Sequence, residues 1–275
     1  MLDGQSDPAA SEAGTRSSRT RLFERAKPFV YPPLGIVLTI LAWHFTCQYF
    51  KLPTAVLPRP GQVLAATISR SDLLWSEAIV TFKETVYGFL LALALGVPIA
   101  VAITSSRTLN LMVYPILIAL QSVPKVALAP ILLVWLGTGI ESKLAIAWLV
   151  AFFPIVVDTA AGLQSTPPAL IELARSLKAS WWQIFFKVKL PAALPFILTG
   201  SKVAVTLAVI GAVIGEFVGS SEGLGYLLLA ATSQLDTPLA FAALFALAAL
   251  GMIVYLAVEV AEWLLAPLLP HKAEH

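Results

Sequence analysis

"IELARSLKASWWQIFFKVKLPAALP", residues 171–195, carries one carboxylate, four cations and two prolines inside a chain that is otherwise greasy. Leu170, Leu173, Ala174, Leu177, Trp181, Ile184 and Phe185 recur at spacings of three and four, which predicts one apolar stripe along a helix. Glu172, Arg175, Ser176, Lys178 and Gln183 fall on the opposite face. Thr166 followed by Pro167 reads as a helix start, a capping hydroxyl with proline in the first turn. Pro191 marks the end of the stretch. A basic amphipathic helix of this kind lies on lipid headgroups or docks into a groove of another protein.

What flanks it sets the fold class. The chain has 275 residues, of which 58% are hydrophobic and 12% charged, against about a quarter charged in soluble domains. A water-soluble fold of this size could not hide so much apolar surface. Runs of near-continuous apolar residues predict six membrane-spanning helices at roughly 29–50, 78–104, 109–136, 142–163, 191–216 and 239–266. Helices are the form expected, because backbone polar groups inside lipid must be satisfied within the segment and barrel-type alternation is absent. The quoted stretch is then the loop between spans four and five, 165–190. Residues 1–27 and 268–275 read as polar tails flanking a membrane domain of 28–267.

Orientation follows from Lys and Arg in the loops. Arg16, Arg19, Arg21, Arg25, Lys27, Arg107, Arg175, Lys178, Lys187, Lys189 and Lys272 gather on one side, and Lys51, Arg59 and Arg70 on the other. This excess predicts that both termini and the 165–190 loop are cytoplasmic. The net charge of +2 gives no reason to expect a nucleic-acid partner. A single cysteine, Cys47, excludes an internal disulfide and a cysteine-built metal cluster. His44 and His271 have no second ligand spaced to join them, so no metal is expected.

The spans are uneven. Span three holds Pro115, Pro124 and Pro130, with Gln121, Ser122 and Lys125 at mid-depth. Prolines break helical hydrogen bonds, and irregular backbone at that depth belongs against protein or a water-filled cavity. Lys125 is therefore the leading intramembrane candidate to face solute, with Gln121 and Ser122 beside it and Lys202 and Thr206 on span five. Its competing reading is a cation that merely pairs or snorkels to fix the broken helix. Asp158 and Lys202 are expected to pair, and Glu259 and Glu262 to pair or cap near the inner end of span six. Lys83 and Glu84 read as interfacial, Glu216 and Glu222 as outer-face positions. Gly200, Ala204, Ala208, Gly211 and Gly215 form a small-residue stripe that predicts close helix packing, in a bundle or a dimer seam. "GTG" at 137–139 and "GLG" at 223–225 read as turns, and Trp75, Trp135 and Trp263 as interfacial tryptophans.

Residues 172–191 resemble the cytoplasmic loop signature of permease subunits of bacterial ATP-binding-cassette importers. Glu172, Ala174, Leu190 and Pro191 match it, while Leu173, Val188 and Lys178 depart from its usual Ala, Ile and Gly. A Lys at the glycine position predicts a different or more continuous helix. "LPRP" at 57–60, "SVPKVALAPILLVWLGTGIESK", "AFFPIVVDT" and "EGLGYLL" are similar to the nitrate, sulfonate and taurine branch of that family.

The resemblance implies a six-span permease of the type I importer kind, in a bacterial inner membrane, which is not itself an enzyme. It pairs with a second permease copy, two cytoplasmic ATPases and an extracytoplasmic solute-binding protein, and carries a small anionic solute. Glu172, Leu173, Ala174, Arg175, Lys178, Leu190 and Pro191 would couple to the ATPases. ATP and magnesium would sit in those partners, and the chain has no G-x-x-x-x-G-K-[ST] loop of its own. The competing class is a secondary transporter driven by an ion gradient. Against it, such carriers are built from internal repeats, and no convincing repeat is present.

Overall fold

The computed structural model describes residues 31–265, all of whose regular structure is helical. The two tails expected at 1–27 and 268–275 lie outside the described residues. The chain forms two compact units, Met1–Leu64 and Ala65–His275.

In the first unit residues 31–49 are helical (α1) and exposed along most of their length. The following turn packs onto the buried Cys47, whose Sγ lies 3.9 Å and 3.8 Å from the carbonyls of Leu57 and Pro58. In "LPRP" the Gln62 side chain accepts the Arg59 amide at 2.9 Å, and Pro60 opens the next helix, α2 (Pro60–Ser69). Proline suits a first turn, where its missing N–H has no partner to lose.

The second unit is a bundle of long helices: α3 (Ser71–Ser105), α4 (Arg107–Gln121), α5 (Ala129–Leu136), α6 (Ile140–Gln164), α7 (Pro168–Ser176), α8 (Trp181–Ile184), α9 (Leu190–Gly219), α10 (Leu224–Ser233) and α11 (Thr237–Leu265). Among the described residues four stretches are long and apolar enough to cross a membrane: α3, α6, the continuous run Trp181–Gly219, and α11. A fifth is the pair Arg107–Gln121 and Lys125–Leu136, bent by 87°. The segment expected as the first of six spans is helical at 31–49 but is not among these.

The bend falls where the prolines predict. α4 tightens at its end, with Ser122 N–H donating to Ala119 O and Val123 N–H to Leu120 O. A short 3-10 turn, Lys125–Leu128, follows Pro124, and α5 restarts with Pro130 in its first turn. Pro98, Pro154 and Pro195 are absorbed inside α3, α6 and α9. A proline breaks a span only where the neighbouring backbone can be satisfied another way.

α6 is the spine, packed between α3 and α9. Ala147 sits at the crossing. An added Cβ on Gly88 of α3 would lie 2.5 Å from its Cβ, and one on Gly211 of α9 would lie 2.7 Å from its Cα. α6 and α9 run antiparallel in steady register, with Gly215 against Lys143, Gly211 against Ala147, and Gly200 against Asp158. The small-residue stripe of span five is therefore a seam inside one chain. Without a hydrophobic effect to separate helix from lipid, this backbone-to-backbone approach supplies the dispersion energy that holds the bundle.

Candidate functional site

The α6–α9 connection is two helices and a wide turn, not one continuous helix. Thr166 does not cap it: its hydroxyl donates back to Leu163 O at 3.3 Å, finishing α6. α7 begins at Pro168 behind Pro167, with no side-chain cap. It ends in the hydrogen-bond pattern of a left-handed helix stop. Ala179 N–H donates to Ala174 O at 3.0 Å and Lys178 N–H to Arg175 O at 2.9 Å, with Lys178 at φ +57°. So Lys178 makes the turn that glycine would make, and the expectation of a more continuous helix is corrected. Main-chain bonds at two carbonyls outweigh a left-handed penalty of about 1–2 kcal/mol.

Ser180 then caps α8. Its Oγ accepts Gln183 N–H at 3.3 Å while Gln183 Oε1 accepts Ser180 N–H at 2.8 Å. The helix widens at Phe185–Lys189, where Leu190 N–H donates to Phe185 O, five residues back. That π turn steps over the bond Pro191 cannot donate, so Pro191 lies in the first turn of α9 and stops nothing. Trp181 stacks on Phe185 at 5.5 Å and Trp182 on Phe186 at 5.9 Å between centroids. Glu172, Leu173, Ser176, Leu177 and Lys178 are exposed together, with Leu177 at 74%. An apolar face rimmed by charge is a surface built to be covered.

The residues expected to face solute fare differently. Lys125 is half-buried, its Nζ donating to Gln121 O at 2.9 Å and lying 5.1 Å from the centre of the Phe153 ring. Its ammonium thus bonds a carbonyl beside the break, as the competing reading expects, and keeps further N–H donors free. Gln121 and Ser122 are exposed. Lys202 does not meet Asp158. It reaches α11 instead, 2.5 Å from Glu262 and 4.0 Å from Glu259, because Asp158 is pinned on the α6 face against Gly200. Thr206 is exposed and donates to Lys202 O at 2.9 Å.

At the opposite end of the bundle lies a cluster that the sequence reading missed. Glu84 is fully buried and pairs with Lys143 of α6 at 3.3 Å, so it is not interfacial. Glu216 is 1% exposed and so is not an outward-facing contact. Its Oε1 accepts the Thr81 hydroxyl at 2.6 Å and its Oε2 accepts Gly225 N–H at 2.5 Å. Thr81 Oγ1 accepts Leu224 N–H at 2.8 Å, and Glu77 accepts Gly223 N–H. Three successive amides at the start of α10 thus end on side chains from α3 and α9, where the helix dipole favours acids.

"GLG" is more than a turn. Gly223 holds φ +103°, and a Cβ on Gly225 would lie 2.6 Å from Glu216 Oε2. Glu222 stays exposed, its backbone held by Ser220. The missed signal was one acid and one base, Glu84 and Lys143, both within predicted spans, 78–104 and 142–163. Among the described residues no group of His, Cys, Asp or Glu is placed to hold a metal ion.

A bundle with several apolar spans is the architecture of a membrane-embedded subunit. Residues 92–267 match the family described as binding-protein-dependent transport system inner membrane component, and the chain belongs to that family. It is 36% identical to the formylaminopyrimidine transport permease protein ThiX of Halalkalibacterium halodurans, over 89% of this chain and 98% of that one. It is 27% identical to the taurine transport system permease protein TauC of Escherichia coli K12, over 85% and 87%. In fold it is similar to a chain of the inward-facing MetNI methionine ABC transporter, with a TM-score of 0.62 and 22% identity, covering 70% of this chain and 96% of that one. The chain is a permease subunit of an ATP-driven, binding-protein-dependent importer, an inner-membrane component with several spans.

Proposed function

We propose that two copies of this chain form a pathway for a small solute, and that two separate cytoplasmic ATPases, holding ATP and magnesium, dock on the 165–190 loop. An extracytoplasmic binding protein delivers the solute, and both termini face the cytoplasm. The observation that carries this reading is the exposed face of Glu172, Leu173, Leu177 and Lys178 on a loop stiffened by a helix stop and a capping box. A loop so braced can transmit a push, whereas an unbraced one would absorb it. Glu172, Leu173, Ala174, Arg175 and Lys178 are the coupling positions. Leu190 and Pro191, at the head of α9, pass the motion into the bundle.

For the solute, the taurine named for the Escherichia coli relative supports the sulfonate class. A second reading is favoured by the 36% identity to a formylaminopyrimidine permease and by Lys125 being engaged with Gln121 O and Phe153. In that reading a heteroaromatic amine is carried.

The test is purification of a tagged copy from its native membrane. An ATPase is expected to co-purify and to be lost in Glu172→Arg while the permease stays folded and dimeric. Absence of any ATPase in every mild detergent tried would overturn the reading. Uptake of labelled taurine against labelled formylaminopyrimidine by the recovered complex then separates the two solute classes.

A further inference from the structure

We propose that the inner side of the 165–190 loop holds the headgroup of a hydroxylated, singly anionic phospholipid such as phosphatidylglycerol. A cavity of about 310 Å³ lies between this loop and the adjacent ends of α3 and α6. At about 30 Å³ per water it has room for roughly ten waters, the bulk of a phosphoglycerol group. Val101, Leu163, Ile171, Ile184, Phe185 and Trp181 form its apolar walls.

Two cations line it, Arg175 from α7, which is also exposed, and Lys189 from the π turn; among the described residues no carboxylate lines it. Among the described residues neither cation has an acidic partner within ion-pair distance. The nearest acid in sequence, Glu172, is exposed and is not part of the lining.

The C-termini of α3 and α6 at the cavity are offset by the N-termini of α4 and of the Trp181–Gly219 run beside it, so the two positive charges stand and call for an anion. Among the anions a membrane surface offers, a phosphodiester headgroup answers them.

The hydroxyls refine the choice. Thr104 Oγ1 donates to Ala100 O at 2.8 Å and Ser105 Oγ donates to Val101 O at 2.6 Å. Their protons are committed to the backbone, so toward the cavity they offer lone pairs, and a ligand must bring donors. The glycerol hydroxyls of phosphatidylglycerol do so; the choline group of phosphatidylcholine brings neither a donor nor net negative charge. In the orientation proposed above, the cavity lies at the membrane surface, where basic pockets between helix ends take anionic headgroups and Trp181 is at home.

The proposal rests on the loop being at a membrane surface and not on ATPase docking, so it is tested on the full chain alone. Native mass spectrometry of the delipidated chain, titrated with phosphatidylglycerol and with phosphatidylcholine, reads both affinities on the unaltered protein. Phosphatidylglycerol is expected to bind roughly tenfold tighter or better. The pair Arg175→Gln/Lys189→Gln should erase that preference, and Arg175→Lys/Lys189→Arg should keep it. Equal binding of the two lipids by the unaltered chain overturns the proposal, as does a preference that survives loss of both cations. Displacement of bound phosphatidylglycerol by millimolar methanesulfonate overturns it too, and assigns the cavity to a soluble anion.

Discussion

Lys178 adopts a backbone geometry that glycine would enter freely, and its side chain is exposed. Lys178→Gly should therefore stabilise the loop by about 0.5–1 kcal/mol, the left-handed penalty less the extra freedom glycine gains when unfolded. Thermal unfolding of the solubilised chain reads this, and a fall in stability would mean the stem of Lys178 makes contacts that matter more. Glu84 and Lys143 pose the opposite problem, two charges removed from water and joined at 3.3 Å. Lys143→Met alone should cost about 3–5 kcal/mol by stranding Glu84, while the double change Glu84→Gln/Lys143→Met should recover most of it. A double-mutant cycle with no coupling would show that the two do not depend on each other. Lys125→Ala should lower stability by about 1–2 kcal/mol through the lost carbonyl bond and ring contact. Its uptake KM should stay put if that bond and ring contact are its role, and a rise in KM would make Lys125 a solute contact.

Between helices, the seam at Ala147 has the least slack. Gly88 and Gly211 approach it from opposite sides, so Ala147→Leu must push two helices apart at once. Overpacking of this kind costs about 1–3 kcal/mol per well-packed site, and here two contacts give way together. Loss of folded, monodisperse protein on size-exclusion chromatography is the expected result; a normal elution profile would mean the bundle breathes more than this register allows. This seam was legible in advance because close approach needs small residues every fourth position, and Gly200, Ala204, Ala208, Gly211 and Gly215 supply them. The broken third span was legible for a similar reason, since prolines act on their own backbone. What stayed hidden depended on partners far away in the chain. Glu84 finds Lys143, and Lys202 finds Glu262 rather than Asp158, through helix rotation that residue spacing does not record. The turn at Lys178 was misjudged because glycine's preference there is worth only about 1 kcal/mol, less than the bonds that make the turn.

For the whole molecule, the arrangement turns on which ends of the helices face which compartment. The α6–α9 connection and the α9–α10 connection lie at opposite ends of α9, so Ser176 and Glu222, both exposed, should be reachable from opposite sides of the membrane. The sequence helps the test: Cys47 is the only cysteine, and it is 1% exposed. Background labelling should be slight. With Ser176→Cys and Glu222→Cys made separately, a membrane-impermeant maleimide added to intact cells should label position 222 and spare 176. Inside-out vesicles should reverse the pattern. The reversed result in cells would place the 165–190 loop outside, away from any cytoplasmic ATPase, and the excess of cations on that loop would need another cause. Labelling of both positions from one side would go further, since α9 could then not span the membrane. Lys and Arg outside the long helices' interiors set the sign: Arg107, Arg175, Lys178, Lys187 and Lys189 lie toward the loop end, against Arg70 toward the other end, where it meets Asp236 at 3.3 Å.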